Sequence, residues 1–170
     1  MKYLAFIVAV LLSSCSHNQN KEISSINPVN WQKRAANHVV FDSLTTGKSY
    51  LPVYSQIYQL NENRTYDLTV TVSLRNISLS DTIYILNADY YNTSGEKIRN
   101  YFNTPIYLLP METVEIIIDE LDREGGTGDN FVFGWAVKNE KNLPFFEAVM
   151  ISTTGQQGLS FTTRGIRIFE

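Results

Sequence analysis

One cysteine, Cys15, stands in a chain of 170 residues, so no internal disulfide can form. Histidine is almost as scarce: His17 and His38 have no further histidine at ligand spacing, and a zinc site is not expected. Charged residues make up 18% of the chain, fewer than the usual quarter, and the net charge is -3 with the basic residues dispersed. Such a surface has no basic field to draw nucleic acid. Catalytic signatures are missing too. A serine hydrolase needs a histidine base beside its nucleophile, His38 is the only candidate base within the domain, and no Gly-x-Ser-x-Gly turn is present. Asp89 and Glu147 could be drawn as a carboxylate pair for glycoside cleavage, but the sequence sets no distance between them. The expectation is a protein that is not an enzyme and carries no cofactor or metal.

What the chain does have begins at its start. Met1-Lys2 forms a small positive region, and the next ten residues, roughly, are apolar, followed by Leu12-Ser13-Ser14-Cys15. A membrane-spanning helix needs about twenty apolar residues, so this segment reads as a cleaved signal rather than an anchor. The residues before Cys15 have the form of a lipobox, which implies cleavage after Ser14 and a thioether from Cys15 to diacylglycerol. Two or three acyl chains hold a protein to a bilayer effectively irreversibly. Residues 1–14 are therefore read as a lipoprotein signal peptide, and 15–47 as a lipidated tether in which 16–30 is a polar coil reaching on the order of 20 Å. Trp31 starts one or two expected helical turns and packs back on the domain. Ser16 is not acidic, which favours the outer membrane if the host is Gram-negative.

From residue 48 the pattern is that of strands. Tyr66 to Arg75 alternates apolar at even and polar at odd positions over ten residues, and residues 82–91 form a second long strand. A turn with Gly95 at positive φ then returns the chain as a hairpin through 97–102. Leu109-Pro110-Met111 marks a corner before a run in which Val114, Ile116 and Ile118 share a face. Phe131, Phe133, Trp135 and Val137 line one side of the next strand, and three more runs follow at 145–152, 159–161 and 166–169. Seven or eight short strands with no helical period predict an all-β chain, an antiparallel β-sandwich of immunoglobulin-like or fibronectin-like kind over 48–170.

Several segments together resemble a family of uncharacterised bacterial lipoproteins and secreted proteins, a domain of unknown function. They are Leu51-Pro52-Val53-Tyr54-Ser55-Gln56-Ile57-Tyr58, Leu68-Thr69-Val70-Thr71-Val72-Ser73-Leu74-Arg75-Asn76 and Asp89-Tyr90-Tyr91-Asn92-Thr93-Ser94-Gly95. The most specific piece is Glu147-Ala148-Val149-Met150-Ile151-Ser152-Thr153-Thr154-Gly155-Gln156-Gln157-Gly158-Leu159-Ser160-Phe161-Thr162-Thr163-Arg164-Gly165. The resemblance spans 48–168 and implies one β-rich domain outside the cytoplasm, with no activity or site residues to carry over.

Three segments are candidate sites. The 155–165 segment gathers glycines with Gln156, Gln157 and Arg164, and reads as a binding patch with Tyr90 and Tyr91 or as a glycine-shaped crossing between strands. In the second reading Arg164 pairs internally with Glu147 or Asp89. The 119–130 loop is rich in oxygen ligands, but it lacks the acid spacing of an EF-hand and reads as a solvated hairpin loop. Ten tyrosines, nine of them beyond the signal, offer faces for sugars or peptides, or cross-strand packing. Three functions compete on these grounds. The leading one is a non-catalytic binding or assembly module of the cell envelope, held to a membrane by Cys15 and presenting loops or an edge strand to a protein. The others are a small-ligand or glycan binder, and an unrecognised hydrolase using His38 beside Ser160 or Thr162.

Overall fold

The computed structural model describes residues 31–153 and 158–169; Cys15, the lipobox and spacer, and Gln156 and Gln157 lie outside the described residues. In chain order the strands are β1 (Thr45–Pro52), β2 (Gln56–Gln59), β3 (Asn61–Asp67), β4 (Thr69–Arg75), β5 (Ile83–Tyr91), β6 (Lys97–Asn100), β7 (Ile106–Leu108), β8 (Thr113–Ile118), β9 (Asn130–Val137), β10 (Phe145–Ser152), β11 (Leu159–Arg164) and β12 (Ile166–Ile168). A six-stranded sheet in the order β12-β1-β9-β5-β6, with β7 also on β5, faces a four-stranded sheet in the order β11-β10-β4-β8. All the pairings are antiparallel. The all-β sandwich is as expected, with more and shorter strands than the seven or eight that alternation suggested.

Period-two patterning explains the core. Phe131, Phe133, Trp135 and Val137 all point inward from β9, and Val70, Val72, Leu74, Val114, Ile116 and Ile118 meet them from β4 and β8. Phe133 stacks on Phe131 at 5.3 Å and across the sheets on Phe146 of β10 at 4.3 Å. Fully burying each such ring contributes about 1.5–3 kcal/mol relative to leaving it in water. The aromatic column thus ties the two layers together.

Three expectations are corrected. The ten-residue run from Tyr66 is two strands, because Leu68 leaves the ribbon and donates its N–H to Ser55 O at 2.9 Å while its side chain enters the core. Upstream of it, β3 pairs only with β2, outside both sheets. Alternation continues unbroken through such a change of partner, so the sequence shows one strand. In the 31–47 segment a 3-10 turn at Trp31–Arg34 seats Trp31 on Phe102 at 5.1 Å, Ala35 bridges to Ile106, and β1 begins at Thr45. The 119–130 loop is no hairpin, since it carries the chain from β8 in one sheet to β9 in the other, with Asp122 and Asp129 buried. Arg164 does not pair with Glu147 or Asp89, which are held by Arg75 at 2.7 Å and by Lys97 at 3.7 Å.

At Gly165 the chain does cross between layers, since β11 pairs with β10 and β12 pairs with β1. The Gly165 N–H donates to Phe146 O at 2.8 Å, and a Cβ there would stand 3.0 Å from Phe146 Cβ and 3.4 Å from Tyr50 O. Glycine allows this close approach, since a Cβ would require its neighbours to give by a few tenths of an ångström.

Candidate functional site

The sandwich has two ends of different chemistry. At one end β1, β5 and β9 meet the 119–130 loop, and the β2–β3 ribbon starts there. At the other the chain enters at Trp31, next to the turns 76–82, 109–112 and 138–144.

The ribbon end is closed by a polar network. Tyr90 of β5 points inward, is fully buried and stacks on Phe131 at 4.8 Å. Its hydroxyl donates a short hydrogen bond to Asp129 Oδ2, and the Ser55 N–H donates to Asp129 Oδ1 at 3.0 Å. Burial raises the Asp129 pKa above the ordinary carboxylate range, against the hydrogen bonds from Tyr90 and Ser55. Burial, reinforced by the Asp129 carboxylate, likewise pushes the Tyr90 phenol well up. Ser55 also clasps Gly126, donating through Oγ to its carbonyl at 3.0 Å and accepting from its N–H at 2.9 Å. From the hairpin turn, Thr93 donates to Gly125 O at 3.1 Å and accepts from the Gly128 N–H at 2.9 Å.

Arg99 of β6 completes the latch. Its guanidinium reaches Asp122 and Glu124, each at 2.8 Å, and Tyr101 Oη at 3.1 Å. Desolvation acts to lower the Arg99 pKa, but the Asp122 hydrogen bond and Tyr101 outweigh it, so Arg99 is held charged. Burial also raises the Tyr101 phenol, opposed by Arg99. The acids that suggested a cation loop thus meet tyrosine, serine and arginine. Among the described residues there is no group of three or more His, Cys, Asp or Glu placed to hold a metal.

From this latched base the β2–β3 ribbon projects. Gln56 Nε2 donates to Asp67 Oδ1 at 2.7 Å and Arg123 Nε to Asp67 Oδ2 at 3.0 Å, fixing its root. Farther out, residues 61–65 are all exposed, and so are Tyr58 and the turn residue Leu60. Leu60 has φ 66°, a left-handed conformation that an apolar L-residue adopts at a cost.

At the entry end, Asn76 is buried and binds two turns together. Its Nδ2 lies 2.8 Å from Asp81 O, 3.0 Å from Leu108 O and 2.9 Å from Leu109 O, while its Oδ1 accepts from the Ser78 N–H at 2.9 Å. The Met111 N–H donates to Ser78 O at 3.1 Å, and Asn142 Nδ2 to Ser78 Oγ at 3.3 Å. Glu112 accepts from the Leu109 N–H at 2.8 Å and pairs with Arg34 at 2.7 Å. Desolvation works to raise the Glu112 pKa, but these two donors hold it low.

Of the sequence-predicted patch, Tyr90, Tyr91 and Arg164 are among the described residues, and these three do not converge. Tyr90 is corrected from a surface ring to a core residue, because its hydroxyl is used by Asp129. Tyr91, the next residue, points to the opposite face of β5, and Arg164 lies in the other sheet with its guanidinium 5.7 Å from the Phe145 ring centre. Nor does the structure bring His38 to Ser160: His38 follows the turn that bridges to β7, while β11 is at the opposite side of the sandwich, against β10 and β1. The ribbon and the entry-end tips were missed from sequence. Exposed Leu60, Leu79 and Met111 at breaks in alternation were the available signal.

No curated protein matches the chain. Among solved structures, the crystal structure of Thermotoga maritima 1070 is similar at 9% identity and a TM-score of 0.43, over 71% of this chain and 92% of that one. A family model, described as protein of unknown function (DUF3124), matches residues 46–168, which agrees with the resemblance read from 48–168. The chain belongs to this family of unknown function, DUF3124.

Proposed function

We propose that this protein is a lipid-anchored, non-catalytic binding module of the cell envelope, tethered through Cys15 and engaging a protein partner with the β2–β3 ribbon. One observation carries the reading. The ribbon contributes to neither sheet, yet its root is fixed by Gln56, Asp67 and Arg123 and its tip holds exposed Leu60 in a left-handed backbone. Backbone strain kept at an exposed apolar tip marks a surface selected for contact rather than for folding. Tyr58 adds a ring that gives contact area and a hydroxyl at little entropic cost.

Site-specific photo-crosslinking in cells tests it. A photoreactive residue at position 58 or 60 is expected to yield one reproducible adduct with an envelope protein, absent when the probe sits at Thr162 on β11. The adduct should fade in an exported Cys15→Ala chain, which loses the local concentration that the anchor provides. Adducts from Thr162 but not from the ribbon would move the partner surface to the β11 edge and end the ribbon reading.

A further inference from the structure

We propose that the entry end of the sandwich docks on the lipid bilayer, with Ile77, Leu79, Leu109 and Met111 seated among the headgroups as a second membrane contact. These four apolar side chains project from two adjoining turns; Leu79 is 85% and Met111 63% exposed, and Ile77 and Leu109 are each about half exposed. They are not a frayed surface. Asn76 and Ser78 hydrogen-bond the two turns into one unit, so the apolar tips are presented at fixed spacing. Met111 has φ 61°; with Leu60 it is one of two non-glycine residues at positive φ among the described residues. Its N–H helps join the turns by donating to Ser78 O, but its exposed apolar side chain buries little in the isolated fold.

The occupant follows from where the chain enters. Trp31 seats on Phe102, and three residues on Arg34 pairs with Glu112 at 2.7 Å, so the chain runs from the sheet edge to the turn that carries Met111. From Cys15 to Trp31 is a sequence distance that, fully extended, spans at most about 55 Å, and as a coil on the order of 20 Å. With the lipid reading of Cys15, on which this proposal rests, the entry end is therefore the face kept nearest the bilayer. Its exposed lysines, Lys33, Lys138 and Lys141, are matched by exposed Asp42 and Glu140 and partly exposed Asp81, so the contact rests on the apolar tips rather than on net charge. Aliphatic tips flanked by lysine bury apolar area in the interface without crossing it. The same docking would hold the ribbon, at the far end, away from the membrane and open to a partner.

The mature lipidated chain has no free thiol, so one introduced cysteine can be labelled alone. Chains carrying Leu79→Cys or Leu60→Cys, labelled with an environment-sensitive fluorophore, are reconstituted in phosphatidylethanolamine/phosphatidylglycerol vesicles containing nitroxide lipids. The proposal expects a blue shift and at least twofold stronger quenching at position 79, with position 60 unchanged from solution. Adding Ile77→Ser, Leu109→Ser and Met111→Asn should abolish the shift at 79; asparagine tolerates the backbone of position 111. Equal exposure of both labels to water on a chain that still floats with the vesicles overturns the docking and leaves the anchor standing. Failure of the anchor reading looks different, because Cys15 would itself take the label. Flotation of the unlipidated chain then decides: binding reduced at least fivefold by the substitutions upholds the loop contact, and no binding overturns it.

Discussion

Replacing Tyr90 with phenylalanine keeps the ring stacked on Phe131 and removes one hydroxyl, the donor to buried Asp129 Oδ2. Asp129 retains the Ser55 N–H on its other oxygen, so the loss is a single bond facing a desolvated acceptor. An orphaned buried acceptor costs about 1–3 kcal/mol, the upper part of that range applying when it is charged. Asp129→Asn should cost about 1–2 kcal/mol, since the amide can accept from the Ser55 N–H and donate to the Tyr90 oxygen but leaves the buried Tyr90 hydroxyl hydrogen without its acceptor. In the Tyr90→Phe background that conflict disappears, so the double mutant should be less destabilised than the sum by about 1 kcal/mol. Urea unfolding followed by the fluorescence of Trp31 and Trp135 reads this out; with a slope of about 1–3 kcal/mol/M, Tyr90→Phe shifts the midpoint by about 1 M. The pH dependence supplies a second check. A carboxyl whose pKa is raised by folding stabilises most below its unfolded value, about 3.9, and that contribution is lost as pH rises through the folded value. Wild type should therefore lose stability relative to Asp129→Asn as pH rises from 4; Glu112, held low, works in the opposite sense in both chains and cancels in the difference. Tyr90→Phe within 0.5 kcal/mol of wild type, roughly the resolution of such cycles, together with additive effects, would refute the reasoning.

Two further substitutions test the frame. Gly165→Val drives a branched side chain into Phe146 and the Tyr50 carbonyl at the layer crossing, and should destabilise by about 1–3 kcal/mol in the same unfolding assay. Asn76→Ala removes the amide donor shared by Asp81 O, Leu108 O and Leu109 O, of which Leu109 O keeps the Glu112 N–H at 3.0 Å, and it takes the acceptor from the Ser78 N–H; it should cost about 2–3 kcal/mol, seen as a melting-temperature drop of roughly 5–10 °C.

Alternation along a strand reports which residues face a core, and it did so here for Val114, Ile116 and Ile118 and for the Phe131 to Val137 face. It does not report the partner, which is why the break at Leu68 and the separate ribbon were illegible. Tyr90 failed as a surface candidate for a related reason: it shares a strand with Tyr91, and only the register of β5 on β9 turns one ring inward and the other outward. Likewise Asp122 and Asp129 are ordinary loop acids in the sequence, and their role depends on Arg99, Tyr90 and Ser55, distant in the chain.

The sequence alone determined an all-β chain and the inward faces of most of its strands, because side-chain period is a local property. It also holds the Leu12-Ser13-Ser14-Cys15 run, from which a lipid anchor is an expectation. Tertiary structure decided which acids are latched, which tyrosine is core and which apolar residues stand exposed at each end of the sandwich. Those depend on contacts between residues remote in sequence, and composition and spacing carry no record of such contacts.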